Sequence, residues 1–219
     1  MKRLSPLLGL LLAGCVFGGG GDKPAPVRPM GSRPVTLNLP TSKDTQACFA
    51  DLSREEVRFS PLPDRDYGGG CKIIGAVQLI DIGVPVTGIK AMRCGLAEEF
   101  IGWTRNAVAP AAYQILRSRL VRIETMGTYA CRNTVGANVT RLSGHALANA
   151  VDVSAFILAD GRRVSIQDGW RSDDDDVRRF LQTIRASACS RFGTVLSPDY
   201  NAAHHDHLHL EDDRKSFCR

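Results

Sequence analysis

Between residues 173 and 188, apolar side chains recur at Val177, Phe180, Leu181, Ile184 and Ala188, the spacing of one helix face, and Ser172 stands where it can cap that helix. The acidic run Asp173, Asp174, Asp175 and Asp176 falls on the predicted helix start. Unpaired N–H groups and partial positive charge gather there, so carboxylates stabilise that end without a ligand, and their spacing matches no EF-hand loop. Residues 96–104 and 111–116 also read as helices, the second opened by Pro110. Residues 70–80 read as one extended, half-buried segment. Residues 119–126, with Leu120, Val121 and Ile123 among polar neighbours, read as a strand.

Two shorter segments alternate with period two. In residues 150–154, Val151 and Val153 would be buried and Asp152 would face the other way. In residues 207–211, Leu208 and Leu210 would pack into the core, leaving His207 and His209 on one opposite face, about 7 Å apart at a strand rise of about 3.4 Å. Together these elements predict an α+β fold: a small antiparallel sheet carrying a polar cluster, flanked by helices.

Histidine usage gives that cluster its chemical meaning. Four of the five histidines fall in His204-His205-Asp206-His207-Leu208-His209, and the fifth, His145, precedes Asp152 by seven positions. A strand crossing that gathered His145, Asp152 and His209 would supply two imidazoles and a carboxylate, a set that suits catalytic Zn²⁺ with one position left open. Zinc would lower the pKa of water there toward about 7 and polarise a scissile carbonyl. A base must then carry the proton to the leaving amine. The chain has no His-Glu-x-x-His helix, so His207 is the candidate base and His204 a second imidazole that could stabilise charge. His205 is read as a surface residue or as one that only supports the ligands from behind. Imidazole and carboxylate would also accept manganese or cobalt.

The remaining sequence bounds the setting. Lys2 and Arg3 precede an apolar run to Leu12, a secretory signal too short to span a bilayer as a helix. Leu12-Ala13-Gly14-Cys15 resembles the bacterial lipobox, which implies that residues 1–14 are removed and Cys15 is acylated. Val rather than Asp at position 16 suggests, by the same resemblance, an outer-membrane lipoprotein facing the periplasm. Residues 15–40, with Gly18 to Gly21 and Pro24, Pro26, Pro29, Pro34 and Pro40, form a tether; residues 41–219 suffice for one compact domain. In an exported chain, Cys48, Cys71, Cys94, Cys131, Cys189 and Cys218 suggest three disulfides, of which Cys189 with Cys218 is the first expectation. No close Cys pair favours thiolate-bound zinc. The net charge of +5 includes two residues of the signal, and no basic run or motif indicates nucleic acid. Trp103 and Trp170 read as core or groove-wall aromatics rather than sugar platforms.

Ser143-Gly144-His145 followed by Asp152, with His207-Leu208-His209, resembles the H-x₆-D and H-x-H pair of the superfamily of lysostaphin-type peptidases, D-alanyl-D-alanine peptidases and the Hedgehog signalling domain. More closely, Tyr129-Ala130-Cys131-Arg132, the 142–146 and 150–156 segments and residues 192–204 resemble the bacterial extensin-like C-terminal family, over roughly Cys48 to Cys218. The superfamily resemblance implies zinc on His145, Asp152 and His209, with His207 beside it and His204 matching a further active-site histidine of murein endopeptidases. Arg132 and Ser143 would serve substrate or ligand orientation. The glutamate base of the D-alanyl-D-alanine peptidases has no obvious counterpart, since Asp206 does not match it. The expected function is therefore a zinc endopeptidase of peptidoglycan cross-links. A metal-containing wall-binding module and a D-alanyl-D-alanine carboxypeptidase are the alternatives.

Overall fold

The computed structural model describes residues 34–37, 41–135 and 141–219. Cys15, the signal and most of the tether lie outside the described residues. Strand β1 (Val35–Thr36) opens the described chain, and α1 (Lys43–Arg54) follows, a helix that the apolar pattern did not announce. Ser42 caps α1 by accepting the Thr45 N–H at 3.1 Å. Its apolar side chains Cys48, Phe49 and Leu52 share one face and pack against the main core.

Strands β2 (Arg58–Pro61), β3 (Arg65–Gly68), β4 (Cys71–Ile73), β5 (Ala76–Asp81), β6 (Val86–Thr87) and β7 (Met92–Arg93) come next. The continuous segment expected over residues 70–80 is two strands. Gly75 adopts φ +59, a left-handed conformation open to glycine, and this turn sends β4 and β5 into different sheets, β1-β3-β4 and β2-β5-β7. Helices α2 (Cys94–Trp103) and α3 (Ala109–Leu116) agree with expectation and are joined by a π-helical turn over Thr104–Val108. Pro110 offers no N–H and its ring presses on the preceding turn, which the wider π geometry relieves.

Strand β8 (Leu120–Gly127), a 3₁₀ turn at Gly144–Leu147, β9 (Ala150–Leu158), β10 (Arg163–Ser165), α4 (Ile166–Gly169), α5 (Asp175–Arg191), β11 (Thr194–Leu196), β12 (Leu208–Glu211) and β13 (Phe217–Cys218) complete the domain. They build a seven-stranded sheet in the order β13-β11-β12-β9-β8-β6, with β10 also paired to β9. It is larger than the sheet expected, antiparallel at its centre and parallel where β13 meets β11 and β6 meets β8.

Against β8, the register of β9 shifts so that Ser154 is an extra residue, Glu124 facing Ala155 and Thr125 facing Val153. This bulge changes the phase of alternation. Val151 and Val153 before it, and Phe156 and Leu158 after it, consequently share one hydrophobic cluster. Phe156 meets Trp103 and Phe180 edge-on at 6.3 and 5.3 Å, so α2 and α5 cover that face. Trp103 donates its Nε1–H to the Ile184 carbonyl, and Trp170, also buried, donates to Asp199.

The buried face of α5 is the expected one, Phe180, Leu181, Ile184 and Ala188, but its cap is not Ser172. Asp174 caps the helix, its carboxylate accepting the N–H groups of Asp176 and Val177 at 2.9 and 3.1 Å, while Ser172 accepts the N–H of Asp174. A charged cap reaching two unpaired donors starts the helix later than the serine would. All six expected cysteines are paired: Cys48 with Cys94, Cys71 with Cys131, and Cys189 with Cys218. The last ties α5 to β13, the outer neighbour of the strands that lead to the histidines.

Candidate metal centre

Register places the first two groups. His209 on β12 stands directly opposite Asp152 on β9, and opposite residues of an antiparallel pair project to the same face. The flanking Val151, Val153, Leu208 and Leu210 are wholly buried on the other face. His145 comes from the 3₁₀ turn rather than a strand. Ser143 accepts the His145 N–H to cap that turn, and Ala148 closes it at φ +53 with its N–H bonded to the His145 carbonyl. The Ala148 carbonyl in turn accepts from Arg93, anchoring the turn.

His145, Asp152 and His209 each offer one ligand atom, all within 4.8 Å of one another. His145 Nε2 lies 3.0 Å from Asp152 Oδ2 and 3.2 Å from His209 Nδ1, which is 2.9 Å from Asp152 Oδ1. The tautomer of His145 follows from its neighbour: the Thr128 carbonyl, 3.3 Å from Nδ1, can only accept, so Nδ1 carries the proton and Nε2 presents its lone pair. Two buried imidazoles and a carboxylate with converging lone pairs fit a borderline divalent cation.

Electrostatics support the same centre. Burial disfavours the charge on Asp152, yet the His145 and His209 rings at hydrogen-bond distance outweigh it and hold the carboxyl far below the usual range. Burial likewise opposes charge on His209, but hydrogen bonds to Asp152 and Glu211 raise the imidazole to about 9.

The other expected residues surround the triad. His207 stands just before β12 with Nε2 3.5 Å from Asp152, and its Nδ1 donates to Asp206 Oδ1 at 2.8 Å. Burial works against the Asp206 charge, but the His207 hydrogen bond keeps its carboxyl below the ordinary value. His204 donates Nδ1–H to Asn201 Oδ1 at 2.7 Å; that oxygen also accepts the Ala203 N–H, which fixes the amide orientation. Burial, then His207 and His209, push His204 down to about 4. It is therefore neutral near pH 7, with Nε2 as an acceptor. Arg132 lies 3.8 Å from Asp152, and its backbone carbonyl accepts from Ser143. His205 is largely exposed and bonded to the Ala202 carbonyl, outside the centre.

These side chains open onto a cavity of about 320 Å³ whose walls include Arg132, Arg141, Leu196, Tyr200 and Phe217. Arg132 and Arg141 bring cationic groups to this lining and Leu196, Tyr200 and Phe217 apolar surface, with Tyr200 edge-on to Phe217 at 5.7 Å and to His204 at 5.5 Å. Sequence reasoning did not identify Glu211, Asn201 or the Thr128 carbonyl. For Glu211 a signal was present: the alternation that aligns His207 with His209 continues to residue 211.

The fold and site define an α+β domain braced by three disulfides, with a His–Asp–His group able to hold a metal ion. Residues 46–219 match the family described as extensin-like protein C-terminus, and the chain belongs to that family. No curated protein and no solved structure matches the chain.

Proposed function

We propose that the protein is a zinc-dependent peptidoglycan peptidase, an endopeptidase that hydrolyses peptide cross-links. The observation that carries this reading is the convergence of His145 Nε2, Asp152 and His209 Nδ1 beside His207, whose outer nitrogen is held by Asp206. The resemblance to lysostaphin-type and murein endopeptidases points the same way. A wall-binding module would have little use for a carboxylate-held histidine beside the ligands.

When bound, zinc supplies Lewis acidity, making water more acidic and a carbonyl more electrophilic. The rest belongs to the chain. Asp206 keeps the proton of His207 on Nδ1, so Nε2 takes the proton of the attacking water and delivers it to the departing amine. Asp206 thus acts through His207 rather than as the base itself. His204 offers its Nε2 lone pair to an N–H of the substrate, and Arg132 pairs with a carboxylate of the stem peptide. The apolar wall of Tyr200 and Phe217 receives the peptide's uncharged portion. An acylated Cys15 and the tether would hold this domain at the outer membrane, within reach of the periplasmic polymer.

The test is incubation of the zinc-loaded protein with purified peptidoglycan and mass analysis of the released muropeptides. Loss of cross-linked dimers is expected. Release of free alanine would instead identify a carboxypeptidase, and identical silence of wild type and His207→Ala with every metal tried would leave the binding module.

A further inference from the structure

We propose that Glu211 is the positioning residue of the metal centre: it accepts the Nε2–H of His209 and so keeps the Nδ1 lone pair directed at the ion. The inference rests on the reading of His145, Asp152 and His209 as ligands. It assigns a role to a residue that contributes no ligand atom.

A neutral imidazole has one N–H and one lone pair, and either nitrogen can carry the proton. His209 has a carboxylate at each nitrogen: Asp152 Oδ1 is 2.9 Å from Nδ1, and Glu211 Oε2 is 3.4 Å from Nε2. An ionised carboxylate only accepts. An ion shared with Asp152 requires the lone pair at Nδ1, and Glu211 is then the acceptor for the proton at Nε2. Histidine ligands commonly donate their outer N–H to a carboxylate or carbonyl, which fixes ring orientation and raises basicity. His145 already does so toward the Thr128 carbonyl, and Glu211 is the counterpart for the second ring.

The glutamate has a second contact. A Cβ built on Gly144 would lie 2.5 Å from Glu211 Cδ and 2.6 Å from Oε1, so the carboxylate occupies space that only a glycine leaves open. Gly144 precedes His145 in the 3₁₀ turn. The same carboxylate therefore bonds the ring of His209 and packs against the turn that presents His145. Glu211 is three-quarters or more covered and pairs with no lysine or arginine among the described ion pairs, so its contact with His209 is not a by-product of a salt bridge elsewhere.

The experiment measures zinc affinity of the full chain by competition with a chromophoric chelator, for wild type, Glu211→Ala, Glu211→Gln, Gly144→Ala and His209→Ala. Long-range ¹H–¹⁵N spectra of the zinc-loaded wild type report which His209 nitrogen is protonated. Glu211→Ala should bind zinc about 10- to 100-fold more weakly. Glu211→Gln retains an acceptor oxygen and should lose less, while Gly144→Ala should weaken binding although Glu211 is intact. The spectra should show zinc on Nδ1 and hydrogen on Nε2. Zinc on Nε2, or Glu211→Ala within about twofold of wild type, would overturn the proposal. His209→Ala separates the two levels: if it too binds as wild type, the ligand reading itself fails; if it alone loses zinc, only the role of Glu211 fails. Thermal unfolding of the metal-free Glu211→Gln protein confirms that the fold is retained.

Discussion

On one face of the β9·β12 pair, Val151, Val153, Leu208 and Leu210 are buried in the main hydrophobic cluster; on the other, Asp152 and His209 stand opposite each other, with Glu211 next along the strand. The apolar face is insensitive to which nitrogen of a ring bears a proton, and gains its stability from area removed from water. The polar face depends on direction. Each of its imidazoles has one nitrogen held by an outer partner: Thr128 for His145, Glu211 for His209, Asp206 for His207 and Asn201 for His204. One pair of strands thus separates stability from chemistry by alternation alone. Changes on one face should then leave the other's readout intact.

The sharpest break is on the polar face. His207→Ala should reduce peptidoglycan turnover by about 10²- to 10⁴-fold with zinc still bound, as loss of a general base does. Asp206→Asn, which leaves the imidazole in place but weakens its orientation, should cost about 10- to 100-fold, again with zinc retained. Loss of zinc from either variant would place these residues among the ligands instead. The corresponding change on the apolar face, Leu208→Ala, should lower stability by about 2–5 kcal/mol in denaturant titration. Under conditions where that variant is folded, its zinc affinity should match wild type.

A smaller effect connects the two faces to pH. Because His209 is raised to about 9 in the metal-free protein, the ring is protonated near pH 7, and zinc must displace that proton. Calorimetry in buffers of different ionisation enthalpy should therefore show about one proton released per zinc at pH 7. Apparent affinity should rise with pH until about 9 and flatten beyond it. A release near zero at pH 7 would show that His209 is already neutral.

Local periodicity made much of this legible. The alternation of Val151, Asp152 and Val153, and of Leu208, His209 and Leu210, assigned both faces correctly, and the spacing of Phe180, Leu181 and Ile184 found the face of α5. What local pattern does not carry is non-local. The pairings Cys48–Cys94 and Cys71–Cys131 depend on how distant segments meet, and only Cys189–Cys218 was anticipated. The bulge at Ser154 is a relation between two strands, invisible in one. Helix α1 carries only a short apolar face, Cys48, Phe49 and Leu52, in an otherwise polar segment. The partners of the histidines were missed for a related reason, since a carbonyl such as Thr128 has no sequence signature.

The most direct measurement is the zinc content of wild type, His207→Ala and Asp152→Ala after equilibrium dialysis against buffered zinc. Asp152 lies 2.9–3.0 Å from the imidazoles of His145 and His209, whereas His207 Nε2 stands 3.5 Å from it and outside the triad. Stoichiometric zinc is expected in wild type and His207→Ala, and its loss in folded Asp152→Ala. Stoichiometric zinc retained in Asp152→Ala would contradict the reading of Asp152 as a ligand.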